Sequence, residues 1–277
     1  MMNRREFAGA CAGVVSAAAL QAAPLGLPIG CQTYPVREAL GKDFEGTLRQ
    51  LAAIGYKTIE MCSPPGYARS GYGALVGMKA AEMRKIVEGA GLACTSCHYQ
   101  FRELKENLRE RMDFALELGM KQMILASFGI RPEAPMSDWI RAADDMNKAG
   151  EQARKDGIQI GFHNHNGEFK EIGGVLIYDQ LLKTFDPQLV KMQFQVSVLS
   201  VGVEPVSYLS KYPGRFASLH LQDWSPAEKK TVAVGKGAVD WKKLFAAAKT
   251  GGVKNYFVEL NLNEMKESYP YLRSLNV

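Results

Sequence analysis

Ser137-Asp-Trp-Ile-Arg-Ala-Ala-Asp-Asp-Met-Asn-Lys-Ala-Gly-Glu-Gln-Ala-Arg-Lys-Asp-Gly157-Ile-Gln-Ile-Gly-Phe-His163 carries two different hydrophobic periods in immediate succession. The amphipathic stretch over 137–156 predicts a helix, and Gly157 supplies the left-handed stop that ends one. Ile158, Ile160 and Phe162 then alternate with Gln159, Gly161 and His163, the period of a strand. Working toward the N-terminus, the same unit recurs: strands are expected over 28–34, 57–61, 92–98 and 122–127, with helices over 44–54, 78–90 and 103–118. Working toward the C-terminus, strands follow over 190–198, 216–221 and 256–260. Helices fall near 175–185, 204–211, 240–248 and 264–275, the last expected to break near Pro270.

Sustained alternation of this kind implies a parallel sheet with right-handed crossovers. Eight units in about 250 residues suit a closed (β/α)₈ TIM barrel better than an open, doubly wound sheet. No helix opens on a P-loop or a Gly-x-Gly-x-x-Gly turn, which removes the main argument for a nucleotide fold.

The first 23 of the 277 residues stand apart. Arg4-Arg5 and Phe7 precede a short Ala-rich apolar run over 8–20, then Gln21-Ala22-Ala23. A charged start, a short apolar run and small residues make a signal peptide, and the arginine pair points to the twin-arginine route and a periplasmic protein. Residues 24–277 then form the barrel domain. Its net charge is mild: the chain carries +5, of which Arg4, Arg5 and Glu6 supply +1, and the cations are scattered among acids. Nucleic acid is a poor partner for such a surface. Hydrophobic content of 47% is ordinary for a chain that buries a full core. Cys94-Thr-Ser-Cys97 lies along a predicted strand, not at the helix N-terminus a redox pair needs.

In such a barrel, function collects where strands run into their following loops. Alternation places His163 and His165 inward on strand five, Gln193, Gln195 and Ser197 on strand six, His220 on strand seven, and Glu259 and Asn261 on strand eight. His163, His220 and Glu259 can converge as a mixed nitrogen and oxygen set suited to Mn²⁺ or Zn²⁺. The expected acid-base groups are Glu259, His220, His165 and Glu168. Gln32, Tyr34, His98, Gln193, Gln195, Trp224 and Lys236 are expected to bind substrate: amides donate and accept to hydroxyls, and aromatic faces stack on sugar rings. Glu60 is a further candidate on strand two.

At these residues the chain resembles the sugar phosphate isomerase/epimerase-like family, the xylose isomerase-like TIM barrels, in a branch with a His-Asn-His motif. The resemblance rests on Phe162-His-Asn-His165 with Glu168-Phe169, Leu219-His-Leu-Gln-Asp223, Val234-Gly-Lys-Gly-Ala-Val-Asp-Trp241 and Tyr256-Phe-Val-Glu259. It implies one divalent ion held from strands five to eight and a proton moved next to a carbonyl. Against the family pattern, Ser197 is expected where an Asp ligand usually stands, Ser200 where Trp is frequent, and Lys236 and Asn261 where acids are. A hydroxyl is a poor ligand at neutral pH, so these changes weaken the expected metal site.

Three functions follow as expectations: metal-assisted isomerisation, epimerisation or elimination of a keto-sugar; the same chemistry without metal, with Lys236 stabilising an enolate; and a non-catalytic sugar binder. The partner in each is a small sugar or polyol, with no membrane once the leader is removed. Arg215 and Lys236 are the available phosphate anchors, and homo-oligomerisation is left open by the sequence.

Overall fold

The eight expected strands form in order: β1 (Gly30–Gln32), β2 (Thr58–Cys62), β3 (Ala93–Gln100), β4 (Gln122–Ser127), β5 (Gln159–His163), β6 (Val190–Gln195), β7 (Phe216–Leu221) and β8 (Asn255–Val258). In this computed structural model, which describes residues 23–277, they pair in parallel and close in the cyclic order β1-β8-β7-β6-β5-β4-β3-β2. The leader expected over 1–23 lies outside the described residues except for Ala23, which is buried against the core. Among the described residues no helix is long and apolar enough to cross a membrane.

Closure happens at β1. Gly30 pairs with Phe257 of β8 on one side and with Thr58 of β2 on the other. A Cβ there would lie 2.6 Å from both the Phe257 ring and Thr58 Oγ1, and 2.8 Å from the Tyr256 carbonyl. The seam therefore needs a residue without a side chain.

The surrounding layer is α1 (Phe44–Ile54), α2 (Ala80–Gly89), α3 (Leu108–Leu118), α4 (Met136–Lys155), α5 (Ile177–Thr184), α6 (Pro205–Lys211), α7 (Trp241–Gly251) and α8 (Leu262–Ser274). Alternation along the strands sorts the side chains as expected. Phe162 packs outward with Phe128 and Phe185, and Phe194 with Tyr178, Tyr208 and Phe216. Cys31, Cys62, Cys94 and Cys97 are free and buried, and burial pushes the Cys94 thiol up to about 12.

Three boundaries differ from the sequence reading. Strand six was expected to reach 198, but β6 stops at Gln195 and Val196–Val201 coils into a 3₁₀ turn closed by Gly202 at φ +80°. The helix expected over 103–118 is two helices, Phe101–Glu106 and α3, separated at Asn107. Finally, α8 continues through Pro270. Pro270 and Lys266, whose carbonyl loses its donor, are both exposed, so water can take the missing bond.

Substituting Gly30 tests the seam. Gly30→Ala should lower unfolding stability by about 2 kcal/mol, the usual cost of overpacking a tight core. A urea midpoint unchanged from the parent would show that closure does not depend on the missing side chain.

Candidate active site

The barrel interior is polar at its C-terminal end, and its centre is a carboxylate from β2. Glu60 is fully buried. Its Oε1 accepts from Gln32 Nε2 (2.9 Å) and His220 Nε2 (2.5 Å), and His98 Nε2, hydrogen-bonded to Gln193 Oε1 at 2.6 Å, lies 3.2 Å from the same oxygen. Its Oε2 accepts from Ser96 Oγ (2.5 Å) and Gln193 Nε2 (2.8 Å). Register makes this possible, because Gln32, Glu60 and Ser96 are lateral neighbours on β1, β2 and β3. Burial alone would raise the Glu60 carboxyl, but the His98 and His220 imidazoles outweigh it and hold the group well below the usual range.

His220 carries the charge to the mouth. Its Nε2 lies on Glu60 and its Nδ1 lies 3.1 Å from Glu259 Oε2 on β8. Burial pulls the imidazole down, yet Glu259 and then Glu60 raise it to about 10, so His220 is an imidazolium at neutral pH. Glu259, 15% exposed, is held below its ordinary value: burial opposes this and the His220 charge prevails. Two amides complete the hold. Gln195 Nε2 donates to Glu259 Oε2 at 2.7 Å, and Gln222 Nε2 donates to the same oxygen at 3.1 Å and to the Glu259 carbonyl at 2.6 Å. Glu259 Oε1 takes no hydrogen bond among the described residues.

All four histidines of the chain share this region. The His163 ring centroid is 4.5 Å from that of His220, 5.0 Å from His98 and 4.8 Å from His165. Burial, then the neighbouring imidazoles, keeps His163 well below its ordinary pKa and therefore neutral, with Nδ1 buried and unpartnered. His165 lies beyond the end of β5. Its backbone N–H donates to Glu168 Oε2 at 2.8 Å. Burial holds the ring neutral, and it lines the cavity above, where a neutral imidazole offers one N–H donor and one acceptor nitrogen.

A cavity of about 650 Å³ opens above this cluster, lined at its floor by His165, Gln195, Gln222 and Glu259, with Tyr34 among its walls. The remaining expectations sort by distance from it. Gln32, His98 and Gln193 lie beneath the floor and hold Glu60 and His220, so they do not line the cavity. Ser197 is not the inward strand residue expected. Because β6 ends earlier, Gln195, paired in register with His220, occupies the site position and Ser197 lies on the turn at the mouth. Asn261 is spent capping α8, accepting from Asn263 N and Glu264 N. Glu168 is turned back onto its own turn, where burial raises its carboxyl.

Trp224 and Lys236 do not line the cavity, and Asp223 explains why that stretch looked like a site. Fully buried, Asp223 accepts from Trp224 N, Gly235 N, Val239 N and Trp241 Nε1 at 2.8–3.1 Å. A Cβ on Gly237 would lie 2.3 Å from Asp223 Oδ1. The Gly-Lys-Gly turn is glycine-rich to wrap that carboxylate, and Lys236 is left exposed. Arg215 is no phosphate anchor either: its guanidinium donates to Leu182 O and Phe185 O at the end of α5. The cation that does line the cavity, Arg37, went unnoticed in the sequence. It stacks 4.2 Å over the Tyr34 ring and donates to Tyr34 O at 2.9 Å.

A family model described as "Xylose isomerase-like TIM barrel" matches residues 48–275. The chain belongs to that family. A solved sugar phosphate isomerase/epimerase from Parabacteroides distasonis is 26% identical, with a TM-score of 0.77 over 89% of this chain and 94% of its own. An inosose dehydratase from Geobacillus thermodenitrificans is 25% identical over 74% of this chain and 82% of its length. A Clostridium beijerinckii inosose dehydratase is also 25% identical, over 66% of this chain and 65% of its own length, a little under two thirds.

Members of the xylose isomerase-like family imply a divalent ion, and the donors here fit one. Two ligand-capable atoms, His163 Nδ1 and Gln195 Oε1, are buried without partners, and both residues adjoin the His220–Glu259 pair. His98, His163 and His220 also each offer an atom within 4.8 Å of the others. The Glu60 bond to His220 Nε2 is the kind of outer carboxylate contact that orients a ligating imidazole.

In metal-free protein the Glu60–His220–Glu259 chain has a defined pH window. The raised His220 contributes stability that is complete below about 6.5 and lost as pH rises through about 10. The two depressed carboxylates contribute stability present above about 4.5 and lost as pH falls through their lowered values. Unfolding stability of chelator-treated protein should therefore decline from pH 7 toward 10, and ¹⁵N NMR at pH 8 should show both His220 nitrogens protonated. An unprotonated ring nitrogen in that spectrum would refute the charge assignment.

Proposed function

We propose that the barrel acts on a small keto-sugar or keto-polyol, with Glu259 removing the proton next to the carbonyl. The observation that supports this is the asymmetry of Glu259. Three N–H donors converge on Oε2, the His220 charge keeps the group ionised, and Oε1 is unbonded in a residue that forms the cavity floor. A general base must be ionised, fixed and within reach of its proton. A divalent ion would replace the His220 Nδ1 proton, be held by His163, Gln195, His220 and Glu259, keep Glu259 ionised in place of the imidazolium charge, and polarise the substrate carbonyl as a Lewis acid.

The protein's own groups favour elimination over epimerisation. Inversion at carbon needs a second base on the opposite face of the substrate. Of the other carboxylates, Glu60 lies beneath His220 and Glu168 is bonded to its own turn, while Glu264 stands on the outer wall at the entry to α8, away from the floor that carries Glu259. In elimination one carboxyl suffices: Glu259 takes the proton from the carbon next to the carbonyl, the electron pair forms C=C, and the β C–O bond breaks. The new Glu259 carboxylic acid then protonates the departing oxygen, while the His165 N–H stabilises charge as it develops there. The inosose dehydratase relatives are consistent with this choice. Isomerisation is the second reading, since the same carboxyl could return its proton to the neighbouring carbon.

Proton exchange into D₂O from a panel of keto-inositols and ketohexoses, followed by NMR, tests the base. Glu259→Gln keeps the shape of the side chain and should reduce exchange by about 10³-fold or more. Chelation should slow exchange, and Mn²⁺ or Zn²⁺ should restore it, with affinity at least about tenfold weaker in His163→Ala. Undiminished exchange in Glu259→Gln would eliminate this mechanism.

Export belongs to the same proposal, because a free sugar outside the cytoplasm suits a site from which both expected phosphate anchors, Arg215 and Lys236, are turned away. Residues 1–23 fused to a folded reporter should deliver it to the periplasm, and Arg4→Lys with Arg5→Lys should strand it inside. Delivery unaffected by the double substitution would count against the twin-arginine route.

A further inference from the structure

The cavity is larger than the chemistry on its floor requires. It is a broad depression of about 650 Å³, open to solvent, with room above the floor for more than one six-membered ring. Beyond the floor and Ser197 at the mouth, its walls come from four places: Tyr34, Pro35 and Arg37 on the turn after β1, Asn166 and Gly167 on the turn after β5, Thr231 on the hairpin after β7 (Asp223–Ser225 with Lys230–Val232), and Leu260, Asn261 and Glu264 at the entry to α8.

Three of these walls are built in place. Tyr34 N donates to Gln32 Oε1 at 3.0 Å, which ties the first turn to the Glu60 network below, and Arg37 is held to Tyr34 by its stack and its hydrogen bond. The hairpin is rooted in Asp223, and Glu264 N is bound by the Asn261 cap. The composition is equally specific. Pro35, Leu260 and the Tyr34 ring supply apolar surface, while Arg37 and Glu264 carry opposite charges and add no net sign. Such walls suit an uncharged ring with one apolar face and hydroxyls or ether oxygens at its edge.

We propose that this outer half of the cavity binds the leaving group: the substrate is a keto-sugar whose β-oxygen carries a second ring, either another sugar or an aromatic alcohol. The proposal rests on the Glu259 elimination. Glu259 takes the proton next to the carbonyl, C=C forms as the β C–O bond breaks, and the bond's electron pair leaves with oxygen. That oxygen receives the proton from Glu259. The products are an unsaturated ketone and an alcohol, and neither water nor an oxidant is consumed.

A matched series of ketohexopyranoses carrying hydroxyl, glucosyloxy or p-nitrophenoxy at the β-carbon separates the possibilities. Wild-type protein should prefer a ring-bearing ketone over the hydroxyl ketone by at least about tenfold in kcat/KM, the scale on which pocket contacts discriminate. The glucosyl and aryl arms show which ring is preferred. Thr231→Trp, which fills the outer half from the hairpin, should cut that preference about tenfold, and Pro35→Phe should do so from the opposite wall if the first variant folds poorly. Equal or faster turnover of the hydroxyl ketone, or a preference unchanged in both variants, would overturn the outer site while leaving the base intact. Absence of exchange from every ketone would bring down the base and the outer site together.

Discussion

Three buried charges in alternating order, Glu60, His220 and Glu259, are the constraint from which the site follows. Taking each into the interior costs several kcal/mol, and the group is tolerated only when its charge is opposed and its remaining lone pairs are filled. Glu60 meets this condition fully, accepting from four side chains on β1, β3, β6 and β7 with the His98 imidazole 3.2 Å away. Two of those donors reach it only if the barrel is closed, since Gln193 on β6 and His220 on β7 arrive from the far side of the interior. Fold and site are thus coupled: the polar floor needs the closed ring of strands, and that ring brings the three charges together.

The same chain of contacts explains why residues expected to touch substrate do something else. Gln32, His98 and Gln193 are the right residue types on the right face, but they lie one layer too deep. They fix Glu60, which fixes His220 Nε2, which leaves Nδ1 directed at Glu259. A change at any of them reaches the cavity by altering how His220 is oriented and charged.

Alternation is a strict rule within a strand, and it was legible there: His163, Gln193, Gln195, His220 and Glu259 all face where parity put them. It carries no information on where a strand stops. Val196 and Val198 are fully buried, so the apolar rhythm of β6 runs on although the backbone has already turned, and Ser197 was misplaced for that reason. Glu60 was underweighted because its partner His220 is 160 residues away, and no local pattern links the two. The Gly-Lys-Gly turn misled in the opposite direction. Its glycines are real signals of close approach, but what approaches is Asp223, a loop anchor.

Gln195 sets the electrical character of the floor. A carboxylate there would face Glu259 across a 2.7 Å contact, and two adjacent negative charges would push one carboxyl up. The amide donates to Glu259 and helps hold it below its usual range. Such a base is ionised at every physiological pH, but it is also intrinsically weak, because basicity falls with pKa. A weak base can work only on an acidic C–H bond, and among sugar carbons that means one beside a carbonyl. In the proposed reaction the amide on β6 therefore matches Glu259 to a proton beside a carbonyl, and the carboxylic acid so formed is placed to pass that proton to the oxygen that leaves.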